Sequence, residues 1–124
     1  MILREWMANE ICAAATKFFN GGHIEIFNGY DELLASGDLA TPPFNHPVMG
    51  MMKLNQPVNS VRFDLMQDRP FKAMLFSKTG ERGLSVSAGY QSDVIAPELI
   101  VESLEPLEVS LFFSAHHAIV PDEK

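Results

Sequence analysis

The sequence is poor in the residues that several common functions require. Its 124 residues include one cysteine, one tryptophan and two tyrosines, and 9 Lys and Arg stand against 16 Asp and Glu, for a net charge of −7. The single Cys12 excludes an intramolecular disulfide. So few scattered cations argue against a nucleic-acid partner, because such a protein needs a basic patch to displace phosphate counterions.

Long apolar runs are also missing. No stretch approaches the roughly 18–20 uninterrupted apolar residues of a membrane span. Charged residues also break up the N-terminal segment, where a secretory leader needs an apolar core of about 7–15 residues. We therefore expect no membrane partner, and a chain kept in the cytoplasm or built into a particle assembled there. Apolar residues make up 47% of the chain, which suits one domain with its own core.

Residues 1–20 have the pattern of an amphipathic helix. Five apolar residues recur at spacings of four, four, three and four, which places them on one helical face: Leu3, Met7, Ile11, Ala14 and Phe18. The pair Gly21-Gly22 then supplies a helix end. The apolar face needs a partner, which is either the body of the domain or a neighbouring subunit.

From His23 onward the apolar residues alternate with polar ones, which indicates strands. Six or seven short strands follow at roughly 8–12-residue spacing without a helical pattern between them. They include the alternating runs Val61, Phe63, Leu65 and Phe71, Ala73, Leu75, and a short apolar segment at 94–96. A long Pro-rich excursion spans 36–57, with one short strand near Met51 to Leu54. The pattern predicts a mainly β fold, an antiparallel, jelly-roll-like β-sandwich with one N-terminal helix. We expect a single domain over 1–124, with the helix at 1–20, the sandwich at 23–115 and a frayed tail at 116–124.

Histidines and carboxylates are the first residues to consider for catalysis or metal binding. The adjacent His116 and His117 point to opposite faces if they lie on a strand, and His23 and His46 have no metal-ligand spacing. Acidic residues fall in two groups with the composition of solvated loops: Asp31 and Glu32, and Glu102, Glu105 and Glu108. We expect no metal and no cofactor.

The serines and the cysteine do not have the sequence setting of a catalytic nucleophile. Ser85, Ser87 and Ser110 alternate within strands and are predicted to face outward, without the sharp turn that exposes a nucleophilic serine. Cys12 lies near the apolar stripe of the helix and has the setting of a small buried side chain. The sequence therefore predicts a protein that is not an enzyme.

Exposed apolar residues are the remaining functional signal. Three methionines lie in the Pro-rich loop, and two adjacent phenylalanines cannot both face inward on one strand. Either the loop folds back over the core, or it contacts another protein. Six residues are the candidate protein interface: Trp6, Phe44, Met49, Met51, Met52 and Phe112.

The order of these features resembles a group of short structural proteins of tailed bacteriophages and prophages. The matching parts are the helix, the strand GGHIEIFNG, the segment LLA, the loop Pro42-Pro43-Phe44, the strand FKAMLFSKTG, the hairpin return from Glu81 and the strand LEVSLFFSA. The resemblance spans about residues 10 to 115. Three positions depart from the pattern, at Arg69-Pro70, at Ser77 and at the turn before the last strand.

The resemblance implies a non-enzymatic virion protein, and no active site carries over from it. The leading hypothesis is a capsid decoration or cement protein whose partners are the major capsid protein or neck and tail proteins. We expect a homo-oligomer, with a trimer as one arrangement, located in the virion after assembly in the host bacterial cytoplasm. The alternative is a neck or tail component, or a receptor-binding module that binds carbohydrate. A cupin-like enzyme is weaker, because clustered His and Glu ligands are missing.

Overall fold

The computed structural model describes residues 2–62, 69–93, 97–112 and 118–121. Within these ranges the chain forms one helix and ten strands: β1 (Ile2–Arg4), α1 (Glu5–Phe18), β2 (His23–Phe27), β3 (Leu33–Asp38), β4 (Met51–Lys53), β5 (Val61–Arg62), β6 (Lys72–Phe76), β7 (Arg82–Tyr90), β8 (Leu99–Leu104), β9 (Leu107–Phe112) and β10 (Ala118–Val120). The fold is mainly β with a single N-terminal helix, as the pattern predicted.

One continuous sheet holds most of the strands. Its order is β4-β9-β8-β7-β6-β2-β3-β5, in which β5 is a two-residue edge strand. Neighbours pair antiparallel except β7 and β8, which are parallel. The long strand β7 pairs with β6 through its first part and with β8 through its last three residues, Ala88 to Tyr90. It therefore joins the two halves of the sheet.

The sheet curls so that its two ends approach each other. Val58 exchanges two backbone hydrogen bonds with Leu107 of β9, at 3.0 and 2.8 Å, and three residues later Val61 pairs with Ser36 of β3. A Cβ on Gly37 of β3 would lie 2.3 Å from Val58 Cγ1. The chain around residue 58 therefore connects both ends of the curled sheet.

A single core fills the inside of the curl. Along β2 and β6 the buried residues alternate with partly exposed ones, because successive side chains of a strand point to opposite faces. Each of the longer strands contributes to this core, which includes Ile24, Ile26, Leu34, Ala73, Leu75, Val86, Leu99, Val101, Leu107, Val109 and Leu111.

The helix is shorter than predicted. The expected range was 1–20, but residues 2–4 form β1 and α1 begins at Glu5. The chain leaves the helix through Gly21, at φ 63°, and Gly22. A Cβ on Gly22 would lie 1.9 Å from the carbonyl oxygen of Phe76, so only glycine lets β2 begin so close to β6.

Two further expectations need correction. Part of the predicted tail at 116–124 is a strand, because β10 pairs in parallel with β1, with Ile2 opposite Ala118. The β region was expected to be antiparallel, whereas the β7–β8 pair is parallel and the strands form one hydrogen-bonded sheet. The predicted strand residues Phe63 and Leu65, like the apolar segment 94–96, lie outside the described residues.

Candidate protein interface on the helix

The outward side of α1 carries a stripe of large apolar side chains. Met7, Ile11 and Phe18 are 39%, 40% and 43% exposed, and Ala14 between them is exposed as well. These four residues were predicted to form the apolar face of the helix. In the single chain that face is exposed to solvent and does not pack on the body of the domain.

The side of α1 next to the stripe packs on the core through small residues. Ala8 and Cys12 are fully buried, and Phe19 follows them at the end of the helix. Small side chains let the helix axis come close to the sheet, and the larger residues are left on the outer side. Gly83 of β7 completes the fit, since a Cβ there would lie 2.5 Å from a ring carbon of Phe18 and 2.8 Å from the ring of Phe19.

Cys12 is a packing residue in this arrangement. Its burial raises the pKa of the thiol from 9.0 to about 11, so the nucleophilic thiolate is disfavoured at neutral pH. The neighbouring Thr16 donates a hydrogen bond to the Cys12 carbonyl oxygen at 2.9 Å and lies 3.2 Å from the sulfur of Met52. These contacts tie the helix to β4.

The six residues of the predicted interface fall into two groups. Phe44 and Met52 are 3% and 1% exposed, so both belong to the core and the prediction is wrong for them. Phe44 is buried because its backbone bridges to Leu54, and Met52 because it is the inward residue of β4. The other four reach the surface: Trp6 and Met51 are exposed, and Met49 and Phe112 are half-buried.

The methionine turn adjoins the helix. Val48 and Met51 pair across a tight turn that places Met49 at φ 52°, and both Val48 and Met51 are exposed. The backbone NH of Gly50 donates to Asn9 Oδ1 at 3.3 Å, which fixes the turn beside α1. Asn9 follows Met7 by two residues, roughly 200° further round the helix, so the turn lies beside a different side of α1 from the stripe.

A cleft of about 430 Å³ lies on another part of the surface, beside the start of β6. Tyr30 and Phe71 are its exposed aromatic residues, at 82% and 61%. Arg69 forms an ion pair with Asp93, and its guanidinium carbon lies 5.6 Å from the ring centre of Tyr90. Alternation with Ala73 had placed Phe71 inside; it is exposed because it precedes the first residue of β6.

The structure differs from the sequence predictions for several polar residues. Ser110 was predicted to face outward, but it is buried and donates a hydrogen bond to Glu102 at 3.2 Å. Lys53 binds the other oxygen of Glu102 at 3.1 Å, so this carboxylate belongs to a ladder across β4, β9 and β8. Glu105 and Pro106 form the tight turn between β8 and β9, where the sequence had predicted a longer polar loop.

The histidines and charged groups form local surface pairs. His23 lies 3.6 Å from Glu25 and 3.3 Å from Asp38, and His46 is exposed. His116 and His117 lie outside the described residues. Within the described ranges no three His, Cys, Asp or Glu side chains are grouped closely enough to hold a metal ion. The same ranges contain no helix of the length and hydropathy needed to cross a membrane.

Comparison with known proteins adds no relative. Protein-family models, curated proteins and solved structures were each compared with the chain, and none of them matches it.

Proposed function

We propose that this chain is a non-enzymatic structural protein of a bacteriophage particle, a capsid decoration or cement protein that stabilises the particle through protein contacts. The observation that supports this most is the apolar stripe of α1, because a protein that acts alone gains nothing from exposing Met7, Ile11 and Phe18 side by side. The resemblance of the sequence to short phage structural proteins supports the assignment to a phage particle. The virion, assembled in the host cytoplasm, is then its location.

The proposed mechanism depends on contact area and shape. A stable protein interface covers about 800 Å² on each partner, with a few large apolar residues near its centre. The helix stripe supplies such residues, and the methionine turn supplies further exposed apolar side chains elsewhere on the surface. The net charge of −7 keeps the free subunit dispersed before assembly. Its partners are the major capsid protein or neck and tail proteins, with further copies of the chain arranged as a homo-oligomer.

A sandwich remains part of the proposal as its finer fold. The strands β5-β3-β2-β6-β7 and β7-β8-β9-β4 are two halves that share one core and meet in β7. In this view they are the two layers of a strongly bent, jelly-roll-like sandwich, connected by β7.

The experiment uses purified particles of the phage or prophage that encodes the chain. Quantitative mass spectrometry should find the chain at a copy number comparable with that of the major capsid protein, and its absence would reject the proposal. Particles assembled without it should bind the purified protein. Ile11→Asp should abolish this binding, and Phe71→Ser, at an exposed apolar residue of the cleft, should leave it intact.

The cleft favours a second candidate function, a receptor-binding module that binds carbohydrate. Exposed aromatic rings stack on sugars, and Tyr30 and Phe71 flank a cleft that also contains the Arg69–Asp93 pair. Under this alternative, Phe71→Ser removes binding to a glycan array and Ile11→Asp does not. Comparing the two variants in both assays therefore separates the two functions.

A further inference from the structure

We propose that α1 pairs with α1 of a second copy of this chain, antiparallel and about a two-fold axis. The pairing requires only the helix surface, so it holds whether or not the chain belongs to a phage particle. It identifies the partner of the exposed stripe while the chain is free in solution, and the geometry in which that partner binds.

The exposed stripe has the spacing of a helix-pairing seam. Met7, Ile11, Ala14 and Phe18 follow each other at intervals of four, three and four residues, which is the spacing of the two inward positions of a heptad. All four are exposed in the single chain. The seam therefore extends along nearly the whole of α1, which is about 21 Å long at 1.5 Å per residue.

Antiparallel pairing places the large Ile11 of one helix opposite the small Ala14 of the other. Aligning Ile11 of one copy with Ala14 of the other also aligns Met7 with Phe18, and the two-fold axis repeats both pairs. Each central layer then combines one branched residue with one alanine, so the two helices can approach closely. Each outer layer combines the flexible methionine with an aromatic ring, a contact that sulfur favours.

The charges beside the seam select the same orientation. Glu10 and Lys17 are both exposed and lie seven residues apart on the outer flank of the stripe. In an antiparallel pair this flank meets the same flank of the other copy. The alignment that places Ile11 on Ala14 also places Glu10 opposite Lys17 of the second copy, and the symmetry forms this ion pair twice.

A parallel pair lacks this complementarity. Its outer flank would face the opposite flank of the other helix, which carries Ala8 and Ala15. Ala8 is fully buried within its own chain and Ala15 is packed beside the core, so that flank has no charged partner to offer. The two ion pairs add little stability because they are exposed, but they discriminate between the two orientations.

The size of the seam indicates a dimer that dissociates on dilution. A contact confined to a helix about 21 Å long covers less than the roughly 800 Å² per partner of a standard stable interface. Trp6, the only tryptophan, precedes Met7 and is 53% exposed, so its fluorescence reports on the pairing. We expect its emission to shift with protein concentration over the range in which the dimer forms.

Sedimentation velocity over a range of concentrations tests the pairing through charge exchange. Glu10→Lys should weaken dimerisation about thirtyfold, because each of the two ion pairs changes from an attraction to a repulsion of roughly 0.5 kcal/mol, about 2 kcal/mol in all. Lys17→Glu should act alike, and the double exchange Glu10→Lys with Lys17→Glu should restore the wild-type affinity. Glu105→Lys, in the exposed β8–β9 turn, is the control for net charge and should not weaken the dimer.

Cross-linking between two variants gives the register. In a Cys12→Ala background, mixing Ile11→Cys with Ala14→Cys should form an oxidised dimer faster than either variant alone. A wild-type chain that stays monomeric at all concentrations overturns the proposal. So does a double exchange that fails to restore the dimer, or a cross-link that forms without preference for the mixture.

Discussion

The orientation of α1 is tested by comparing two truncations, one at a buried residue of the sheet, Leu75, and one at an exposed residue of the helix, Ile11. Leu75 on β6 is fully buried, and Leu75→Ala removes atoms from a closed core, which typically costs about 2–5 kcal/mol. Ile11 is 40% exposed, so Ile11→Ala leaves no enclosed cavity. Part of the 1.5–3 kcal/mol of a fully buried isoleucine is lost, and the better helix propensity of alanine returns a few tenths of a kcal/mol. The expected net cost is about 1 kcal/mol or less.

Urea denaturation measures both costs, at a concentration where sedimentation shows only monomer. The midpoint of Leu75→Ala should fall clearly, whereas that of Ile11→Ala should stay near wild type with an unchanged m value. Cys12→Leu provides a third comparison one residue further along the helix, where overpacking should cost about 1–3 kcal/mol. If Ile11→Ala costs as much as Leu75→Ala, the stripe faces the core and the orientation of α1 is refuted.

Two more predictions concern Cys12 and the glycine after the helix. Because the pKa of the Cys12 thiol rises from 9.0 to about 11 on folding, the unfolded chain loses its proton first as pH rises. Stability should therefore fall by roughly 2–3 kcal/mol between pH 9 and 11, and Cys12→Ala should remove that part of the decline in urea melts. Gly22→Ala should lower the thermal midpoint strongly, because its Cβ would clash with the Phe76 carbonyl, whereas Gly29→Ala has its nearest atom at 4.0 Å and should change it little. Similar losses for both glycine variants would contradict the close approach of β2 and β6.

Local patterns predicted most of the strands. The alternation of Ile24 and Ile26, and of Val109 and Leu111, matches β2 and β9, because side-chain direction along a strand repeats every two residues. The same alternation applied to Met51, Met52 and Lys53 would have placed Met52 inside. The loop composition around it pointed instead to a surface contact.

The periodicity of the sequence could not predict which side of α1 faces the core. A hydropathy pattern finds the bulky apolar side of a helix, but it does not say whether that side faces the same chain or another one. Here the small residues Ala8 and Cys12 are the buried ones, and the larger Met7 and Ile11 are exposed. The pairings of β1 with β10 and of β7 with β8 were missed because the first is non-local and period-two alternation is the same for parallel and antiparallel neighbours.

Thiol labelling at two adjacent positions tests the central claim, that α1 presents its large apolar side to a partner and its small side to the core. In the wild type, Cys12 should react with an alkylating reagent only as fast as the chain opens. In the Cys12→Ala background, Ile11→Cys should react rapidly in dilute solution and more slowly as the concentration rises and the second copy covers it. A reactive Cys12 together with a protected position 11 in dilute solution would show that α1 is oriented the other way.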